Sequence, residues 1–409
     1  MTPAPTPRHR APGEAVGGCY DVVVAGGGPA GAAAAITLAR AGRSVLLADA
    51  GAGPPKTGES LVPAARLLLG DLGIDVRVLD ADHRLCHANL SAWGSGRLHR
   101  LSFLDDPHGH GWHLHRPAFD RLLRRRARDQ GAHVVENVTV THPTAHPAGG
   151  WEVATRTGAA TGTARCRWLI DATGRRAALA ARYGARRVTY DRLIAVHLRL
   201  TPGETDAEEA SLVEAVPDGW WHTAPHNPAH RLLTYFTDSD LVPAAPVAPR
   251  TLLDLLAATR HTAMRAQDRP PLPGAVPRRC AASTTRLHPV AGDHWIAAGD
   301  AAVTYDPLSS QGLLTALYSG LSAGRAVDAH LRGDPDALTS YATGLRDTFR
   351  AYAHAHREIH RSETRWPDHT FWQRRHTPSH PATALPDPEA ARAPSPSREA
   401  APNGQGPTR

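Results

Sequence analysis

Uninterrupted apolar runs near the amino end predict a buried βαβ unit. Residues 22–25 and 45–48 are wholly apolar, which is typical of strands covered on both faces in a parallel sheet. Between them, a glycine-rich turn leads into a helix that we predict from Ala30 to about Ala41. The chain therefore opens with strand, turn, helix and strand, an order that places two parallel strands side by side.

Further along, the pattern changes to short strands separated by turns. From Leu193 to Thr237, four such segments predict an antiparallel sheet that is inserted into the first domain. The other predicted elements are helix 117–130, strand 133–140, a strand ending near residue 171, helix 251–267, buried strand 294–302, helix 311–333 and amphipathic helix 335–363.

These elements predict an α/β fold with a Rossmann-type dinucleotide-binding domain that is discontinuous in sequence. A second domain, for substrate, is built on the inserted antiparallel β-sheet, and a C-terminal helical segment follows. The predicted division is residues 19–80 with 110–182 and 279–334 for the dinucleotide-binding domain, 81–109 with 183–278 for the substrate domain, and 335–366 for the C-terminal helix. Residues 1–18 and 376–409 are rich in Pro, Ala, Ser and charge, so we expect disordered tails there.

The turn after the first strand carries a GxGxxG spacing at Gly26, Gly28 and Gly31. One glycine permits the sharp turn, one allows close backbone approach to a pyrophosphate, and one allows tight packing of helix on strand. The helix then points its positive amino end at the phosphates. Asp49 closes the second strand eighteen residues after Gly31, where a carboxylate can accept hydrogen bonds from a ribose.

Composition narrows the remaining possibilities. The net charge is +7, but the 46 basic residues include a single lysine, Lys56, and arginines are scattered without a stripe of stacking aromatics. We therefore expect no nucleic-acid partner. The four cysteines lie far apart without a CxxC pair, which indicates reduced thiols. No signal peptide or membrane-spanning apolar stretch is visible, so we expect a cytoplasmic protein without a membrane span.

Two later segments complete a dinucleotide pattern. WLIDATGRR (168–176) and WIAAGDAAVTYDPLSSQGL (295–313) stand in the order and rough spacing found in FAD-dependent aromatic hydroxylases and flavin-dependent halogenases. The chain resembles that superfamily from residue 21 to about residue 331. The resemblance implies that Asp300 contacts the ribityl or phosphate region of FAD and that the loop after it lies against the flavin ring. A helix amino end at 311–314 would stabilise the negative charge of reduced flavin.

A narrower resemblance is carried by residues 56–74, 91–95 and 109–120. These segments are similar to halogenase-like flavoproteins that include maturation enzymes for protein-derived tryptophylquinone cofactors. The resemblance implies that Glu59 and Ser60 lie near the flavin and that Arg116 reaches FAD. The full set of predicted FAD-binding residues is Gly26, Gly28, Pro29, Ala30, Gly31, Asp49, Glu59, Ser60, Arg116, Val138, Asp171, Gly174, Gly299, Asp300, Pro307, Gly312 and Leu313.

The predicted substrate pocket uses aromatic residues of the inserted sheet, which forms a roof over the flavin in the resembling enzymes. Adjacent strand residues point to opposite faces, so Trp220 and His222 would face one side and Trp221 the other. Packing is nevertheless the default role of buried tryptophans. The complete set of pocket candidates is Trp93, Trp112, His113, Trp220, Trp221 and His222.

A metal site is not predicted. His356 and His360 are one helical turn apart and His354 is close, but no HExxH motif accompanies them. We interpret these histidines as a solvated helix face.

The leading hypothesis is an FAD-dependent monooxygenase that hydroxylates an electron-rich aromatic through a flavin hydroperoxide. The substrate is a small molecule or a peptide-, protein- or carrier-bound aromatic, with tryptophan among the candidates. Halogenation ranks lower, because the lysine of tryptophan halogenases is replaced by Arg66 or Leu67, and arginine stays protonated. Their GWxWxIP motif is also degraded, since His222 and Ala224 replace its second tryptophan and its isoleucine.

Two further hypotheses stay open. Isoprenoid-type alkene reductases share the GxGxxG and DATG signals, and a non-catalytic flavin-binding protein would keep them too. Only one GxGxxG is present, so a second Rossmann domain for a nicotinamide is not predicted. The electrons would come from NAD(P)H in a transient encounter or from a partner flavin reductase.

Overall fold

The computed structural model describes residues 16–51, 59–147, 149–203, 209–227, 230–242 and 247–377. Its helices are α1 Pro29–Arg40, α2 Ala65–Asp71, α3 Arg77–Asp82, α4 Arg116–Asp129, α5 Pro249–Ala257, α6 His261–Ala266, α7 Gly312–Leu331, α8 Ala337–Arg361 and α9 Thr370–His376. Its strands are β1 Gly18–Ala25, β2 Val45–Asp49, β3 Glu59–Leu61, β4 Arg84–Cys86, β5 Ala88–Ala92, β6 His99–Ser102, β7 Gly111–Leu114, β8 His133–Glu136, β9 Thr139–Ala145, β10 Trp151–Thr157, β11 Ala160–Asp171, β12 Arg186–Thr189, β13 Leu193–Leu200, β14 Ala210–Val216, β15 Gly219–Asn227, β16 His230–Asp238, β17 Arg278–Ala281, β18 Thr285–His288, β19 Ala291–Gly292, β20 Trp295–Ala297 and β21 Val303–Thr304.

The largest sheet confirms the predicted α/β class. Five parallel strands run in the order β20-β11-β1-β2-β8, with β19 antiparallel at one edge and β9 and β10 extending from β11. The valines of β1 are fully buried. Parallel strands are covered on both faces, which explains their unbroken apolar sequence. The strands of this sheet come from three separate stretches of the chain, as the discontinuous domain requires.

Helices α1 and α7 pack closely because small residues line their contact. A Cβ added to Gly320 would collide with the backbone of Ala30, and one added to Gly324 would lie 3.0 Å from the carbonyl oxygen of Ala34. Because α1 begins with alanines and the facing side of α7 has two glycines, the backbones of the two helices come into direct contact. This packing places the amino end of α7 close to the glycine turn that precedes α1.

The inserted sheet has the order β17-β13-β16-β15-β14-β5-β6. The four predicted segments, β13 to β16, pair antiparallel as expected. The sheet is extended by β17 and by β5 and β6, which lie outside the predicted range, and the pair of β14 and β5 is parallel. Strand β5 comes from an earlier part of the chain. It lies between β14 and the edge strand β6 and runs in the same direction as β14. Two small sheets, β3-β7-β4 and β12-β18-β21, lie outside the two large ones.

Helix 251–267 was predicted as one element, but the structure divides it into α5 and α6. The buried carboxylate of Glu214, on β14, accepts hydrogen bonds from the backbone N–H groups of Arg260, His261 and Thr262 at 2.6–3.2 Å. A side chain of the sheet thus caps the start of α6, and the chain turns there. Local periodicity carries no information about such a partner.

Helix α9 was missing from the predicted elements. Its Phe371 and Trp372 are fully buried against the inserted sheet, and the indole of Trp372 donates to the carbonyl oxygen of Val216 at 3.0 Å. Residues 16–18, 376 and 377, assigned to tails, belong to described structure. The rest of both tails, 1–15 and 378–409, lies outside the described residues, and the domain boundaries stay a prediction. No helix among the described residues is long and apolar enough to cross a membrane.

Candidate functional site

The glycine turn between β1 and α1 forms a cradle that side chains would fill. Gly26 has φ +110°, and a Cβ there would collide with the carbonyl of Ala172, while a Cβ on Gly31 would collide with the carbonyl of Gly26. Gly28 precedes α1 and Pro29 occupies its first turn. The amino end of the helix therefore opens on the cradle with its unsatisfied N–H groups, an arrangement that fits a dinucleotide pyrophosphate.

A carboxylate stands beside this cradle at the end of β2. Asp49 accepts the N–H of Gly51 at 2.7 Å, and its other oxygen lies 3.6 Å from the guanidinium of Arg124. Arg124 also donates to the carbonyl of Gly27 at 3.2 Å. The backbone N–H of the buried Val138 donates to the carbonyl of Asp49 at 2.8 Å. Asp49 is thus held at the rim of the cradle, where a ribose would lie.

Asp171 was predicted to bind FAD, and its carboxylate accepts four hydrogen bonds from other residues of the chain. Its oxygens accept from the backbone and hydroxyl of Thr173 at 3.0 and 2.7 Å and from the N–H groups of Leu179 and Ala180 at 2.9 and 2.8 Å. Asp171 is 1 % exposed. Its side chain therefore organises the loop that contains Gly174.

Asp300 lies at the opposite side of the same cradle. Gly299 has φ +62°, and its added Cβ would lie 2.6 Å from the Cβ of Ala30, at the start of α1. The half-exposed carboxylate of Asp300 lies 3.8 Å from the guanidinium of Arg175. An acid and a base thus face the region between the glycine turn and the loop after β20.

The predicted flavin-facing loop connects β21 to α7. Asp306 accepts the N–H of Leu308 at 2.9 Å and caps the short turn Pro307–Ser309. Pro307 and Gly312 are exposed and Leu313 is buried. Leu308 packs in one cluster with Trp220 of the inserted sheet. The loop is therefore placed between the amino end of α7 and the Trp220 face of that sheet.

A small cavity opens between this sheet and the sheet β3-β7-β4. Its lining residues are Ser60, His113, His222, Ala224, Pro225, His226 and Leu232. The hydroxyl of Ser60 lies 3.1 Å from Nδ1 of His113, whose buried Nε2 has no hydrogen-bond partner among the described residues. Side chains from four strands, β3, β7, β15 and β16, thus meet at this point.

The histidines of this cavity stay neutral at ordinary pH. Burial, reinforced by His222 and Arg231, lowers the pKa of His113 to about 3. Burial likewise lowers the pKa of His222 and of His226 to about 4. Each ring therefore offers one N–H donor and one nitrogen acceptor rather than a cation.

The comparison with known families agrees with the dinucleotide site inferred from the glycine turn. A family model described as "FAD binding domain" matches residues 19–355. The chain belongs to this family. The cofactor is therefore FAD, and the flavoprotein is an FAD-dependent oxidoreductase.

Two curated relatives cover most of the flavoprotein. A "Putative FAD-dependent oxidoreductase LodB" from Marinomonas mediterranea is 28 % identical over 386 residues, which are 87 % of this chain and 97 % of the relative. A "Flavin-dependent halogenase armH3" from Armillaria mellea is 29 % identical over 360 residues, which are 77 % of this chain and 68 % of the relative.

Solved structures share the fold of the flavoprotein. The myxobacterial chondrochloren halogenase CndH superposes with a TM-score of 0.77 at 22 % identity, covering 87 % of this chain and 86 % of its own. The peptidyl tryptophan dihydroxylase QhpG superposes with a TM-score of 0.72 at 24 % identity, covering 87 % of this chain and 78 % of its own.

The structure brings together some pocket candidates and separates others. Trp220 and His222 share the face towards the flavin loop, whereas Trp221 packs on the opposite face against Leu252 and Leu256 of α5. Trp221 is therefore removed from the pocket. His226, which the sequence analysis missed, lies in the cavity, and continuing the alternation from Trp220 along β15 would have found it.

Trp112 also belongs to packing. Its indole donates to Asp80 at 2.8 Å, and the guanidinium of Arg66 lies over its ring, 4.4 Å from the centroid. Arg66 bonds His110 at 2.9 Å as well. Trp112 therefore faces α2 and α3, whereas its neighbour His113 faces the cavity. Trp93 is anchored elsewhere, since its indole donates to the carbonyl of Ile359 at 2.7 Å.

Other predicted contacts with FAD stay predictions. Arg116 is buried beside Asp120, at 3.3 Å, and is not the exposed start of a helix. The backbone of Glu59 forms β3, but its side chain and Lys56 lie outside what the structure describes. Arg124 and Arg175 were not predicted. The only sequence signal for Arg124 was the arginine run 124–126 on α4.

The face of α8 that carries His356 and His360 is not solvated, so that expectation was wrong. His360 is 1 % exposed, and Nε2 of His356 lies 3.0 Å from the buried carboxylate of Asp306. Helix α9 and the flavin loop cover this face, which the helical pattern by itself could not indicate.

Proposed function

We propose that this flavoprotein is a monooxygenase that hydroxylates an electron-rich aromatic ring, with the indole of a peptide-held tryptophan as its substrate. FAD, once reduced, supplies the chemistry of oxygen activation. The observation that carries the proposal is the meeting of Ser60, His113, His222 and His226 between the inserted sheet and the sheet β3-β7-β4; the space there has room for about one water molecule, so it has to widen to admit an aromatic ring. An electron-rich ring needs to be oriented and kept dry there, and it needs no protein nucleophile.

The residues of the cavity suit an aromatic ring with one polar hydrogen. Ala224, Pro225 and Leu232 supply apolar contact for its faces. The hydroxyl of Ser60 can donate to Nδ1 of His113 or accept from it, so both neutral tautomers of the imidazole are compatible with this bond. When Nδ1 donates to the hydroxyl, Nε2 accepts the N–H of an indole or the O–H of a phenol. The neutral state of His113 keeps this acceptor available over the whole physiological pH range.

The region where tryptophan halogenases carry a lysine supports hydroxylation over halogenation. Arg66 bonds His110 and lies over Trp112, so its guanidinium is committed away from the cavity. The neighbouring Leu67 is 61 % exposed. The chain has one lysine, Lys56, which precedes β3. Halogenase relatives keep halogenation as the second candidate, and the experiment below divides the two.

The substrate class is supported by one structural neighbour. QhpG is a peptidyl tryptophan dihydroxylase. A tryptophan within a peptide or protein accordingly ranks above a free aromatic. Electrons would come from NAD(P)H or a partner flavin reductase. The cysteines Cys19, Cys86, Cys166 and Cys280 form no disulfide bond among the described residues, which suits the cytoplasm that we propose as its location.

The test is a single-turnover reaction with photoreduced, FAD-bound protein. Tryptophan-containing peptides and free tryptophan are mixed with it in ¹⁸O₂, with and without bromide, and the products are read by mass spectrometry. Incorporation of ¹⁸O, insensitive to bromide, is the expected result. Bromination would overturn hydroxylation, and reduction of an alkene substrate without oxygen would favour the reductase.

Two variants and a control connect the product to the cavity. His113→Asn and Ser60→Ala should lower the yield of oxygenated product and raise the fraction of reduced flavin that reoxidises without product. His99→Asn changes an exposed histidine on β6 and should behave like the parent. Equal product yields in all four proteins would remove the cavity from the proposal.

A further inference from the structure

A buried group of three side chains joins α8 to the flavin loop. Its members are Asp306, His356 and His360, whose ligating atoms all lie within 4.8 Å of one another. Nε2 of His356 lies 3.0 Å and Nε2 of His360 lies 3.9 Å from the same carboxylate oxygen of Asp306. Asp306 and His360 are each 1 % exposed. A carboxylate and two imidazoles thus converge from two separate elements.

The hydrogen bonds of His360 leave a lone pair aimed into this group. Its Nδ1 lies 2.9 Å from the carbonyl oxygen of His356, so Nδ1 carries the hydrogen and Nε2 does not. The buried Nε2 has no hydrogen-bond partner among the described residues. A lone pair that faces a carboxylate without a hydrogen or a cation between them is unfavourable in a buried site.

A second acid lies close to this group. Burial and the neighbouring Asp306 carboxylate raise the pKa of Asp191, whose carboxylate accepts the backbone N–H groups of Leu193 and Thr284. Arg375 acts on the same region, but its guanidinium is paired with Asp238 at 2.9 Å.

We propose that Asp306, His356 and His360 bind a divalent transition metal, zinc in the cell, which ties helix α8 to the loop 306–311. Two histidines four residues apart on a helix present their Nε2 atoms on one side, and a carboxylate from another element completes a three-ligand set of the kind that binds zinc. A fourth position is left for water. When the metal binds, His356 ligates as a neutral ring with its lone pair on Nε2 and its hydrogen on Nδ1: a neutral ring moves its Nε2 hydrogen to Nδ1, and a doubly protonated ring releases the Nε2 hydrogen to solvent. The bond from Nδ1 of His360 to the carbonyl of His356 holds the ring of His360 in the ligating orientation.

The metal would act on the shape of the flavin loop. Asp306 both caps the turn Pro307–Ser309 and belongs to the metal group, so the cation would fix the loop through its first residue. This inference does not depend on the reaction that the flavin performs. The site lies behind the loop, on the side of α8 and Trp93, whose ring meets that of His360 edge to face at 5.6 Å.

The experiment measures metal in the untagged, full-length, FAD-bound protein. The protein is equilibrated with zinc, passed through gel filtration with a weak chelator, and assayed for zinc per chain by mass spectrometry. We expect one retained zinc per chain, near-complete loss in His356→Gln and His360→Gln, and full retention in His354→Gln. His354 is exposed on the same helix, which makes it the matched control. Flavin content and circular dichroism confirm that each variant is folded.

A second measurement keeps the test independent of variant folding. Cobalt(II) is added to the chelator-treated parent, and the visible spectrum is recorded at wavelengths beyond the flavin bands. A tetrahedral d–d spectrum that zinc abolishes supports the site. A parent that retains no zinc and gives no such spectrum overturns the proposal, and so does equal retention in folded His356 and His360 variants.

Discussion

The buried His113 should make the stability of the protein fall as the pH is lowered from 7 to 5. In the folded chain its pKa is about 3, because the ring is buried on β7 and 2 % exposed. In the unfolded chain it has the ordinary value of about 6.5. Between these values the unfolded state binds a proton that the folded state does not, so acidification favours unfolding.

The magnitude follows from the two pKa values. Stability from this group is fully present above pH 6.5, and it declines as the pH falls towards 3. Between pH 7 and pH 5, His113 contributes a loss of about 2 kcal/mol in the free energy of unfolding. Because pH 5 lies well above the pKa of His113 in the folded chain, the calculated loss of stability depends mainly on the pKa in the unfolded chain. It would hardly change if the pKa in the folded chain were somewhat higher or lower than 3.

The assay compares urea unfolding of the parent and His113→Asn at both pH values, with the same saturating FAD throughout. Asparagine keeps a polar atom near the position of Nδ1 but does not titrate. The variant loses ring packing at both pH values, so the quantity that matters is the difference in pH dependence. We expect the variant to lose about 2 kcal/mol less than the parent between pH 7 and pH 5.

An exposed histidine provides the control. His99→Asn, which replaces an exposed histidine on β6, should reproduce the pH dependence of the parent. Identical pH dependence in the parent and in His113→Asn would refute the reasoning, because it would mean that His113 takes up its proton equally in the folded protein.

Three other outcomes test the packing and the cradle. Gly320→Val should push α1 and α7 apart, because its Cβ would meet the backbone of Ala30, and it should lower the free energy of unfolding by about 1–3 kcal/mol or more in a urea assay. The control Gly70→Ala has open space around its Cβ and should be neutral or stabilising in the same assay. Trp372→Ala should cost about 3–5 kcal/mol in urea unfolding, and an unchanged midpoint would show that α9 does not pack on the sheet in solution. Asp49→Ala should weaken FAD binding roughly tenfold or more, read by flavin fluorescence, and an unchanged dissociation constant would remove Asp49 from the ribose contact.

Most of the dinucleotide fold could be predicted from the sequence, because its signals are local. The spacing of Gly26, Gly28 and Gly31 encodes a turn that only glycine can make, and the structure shows that added Cβ atoms at two of them would collide with backbone. The first strand of the inserted sheet, β13, also begins at Leu193, the residue at which that sheet was predicted to begin. Alternation along β15 predicted that Trp220 and His222 face one side of the sheet and Trp221 the other, which is how the structure places them.

Other features depended on contacts between segments far apart in the chain. Glu214 divides a predicted helix because its carboxylate caps α6, more than 40 residues away. The cavity joins Ser60 and His113 to His222, and the buried group joins Asp306 to His360, although no local pattern connects these pairs. A hydrophobic period tells which face of an element is buried. Only the packed tertiary structure decides which surface covers that face, and hence whether His356 and His360 meet water or a carboxylate.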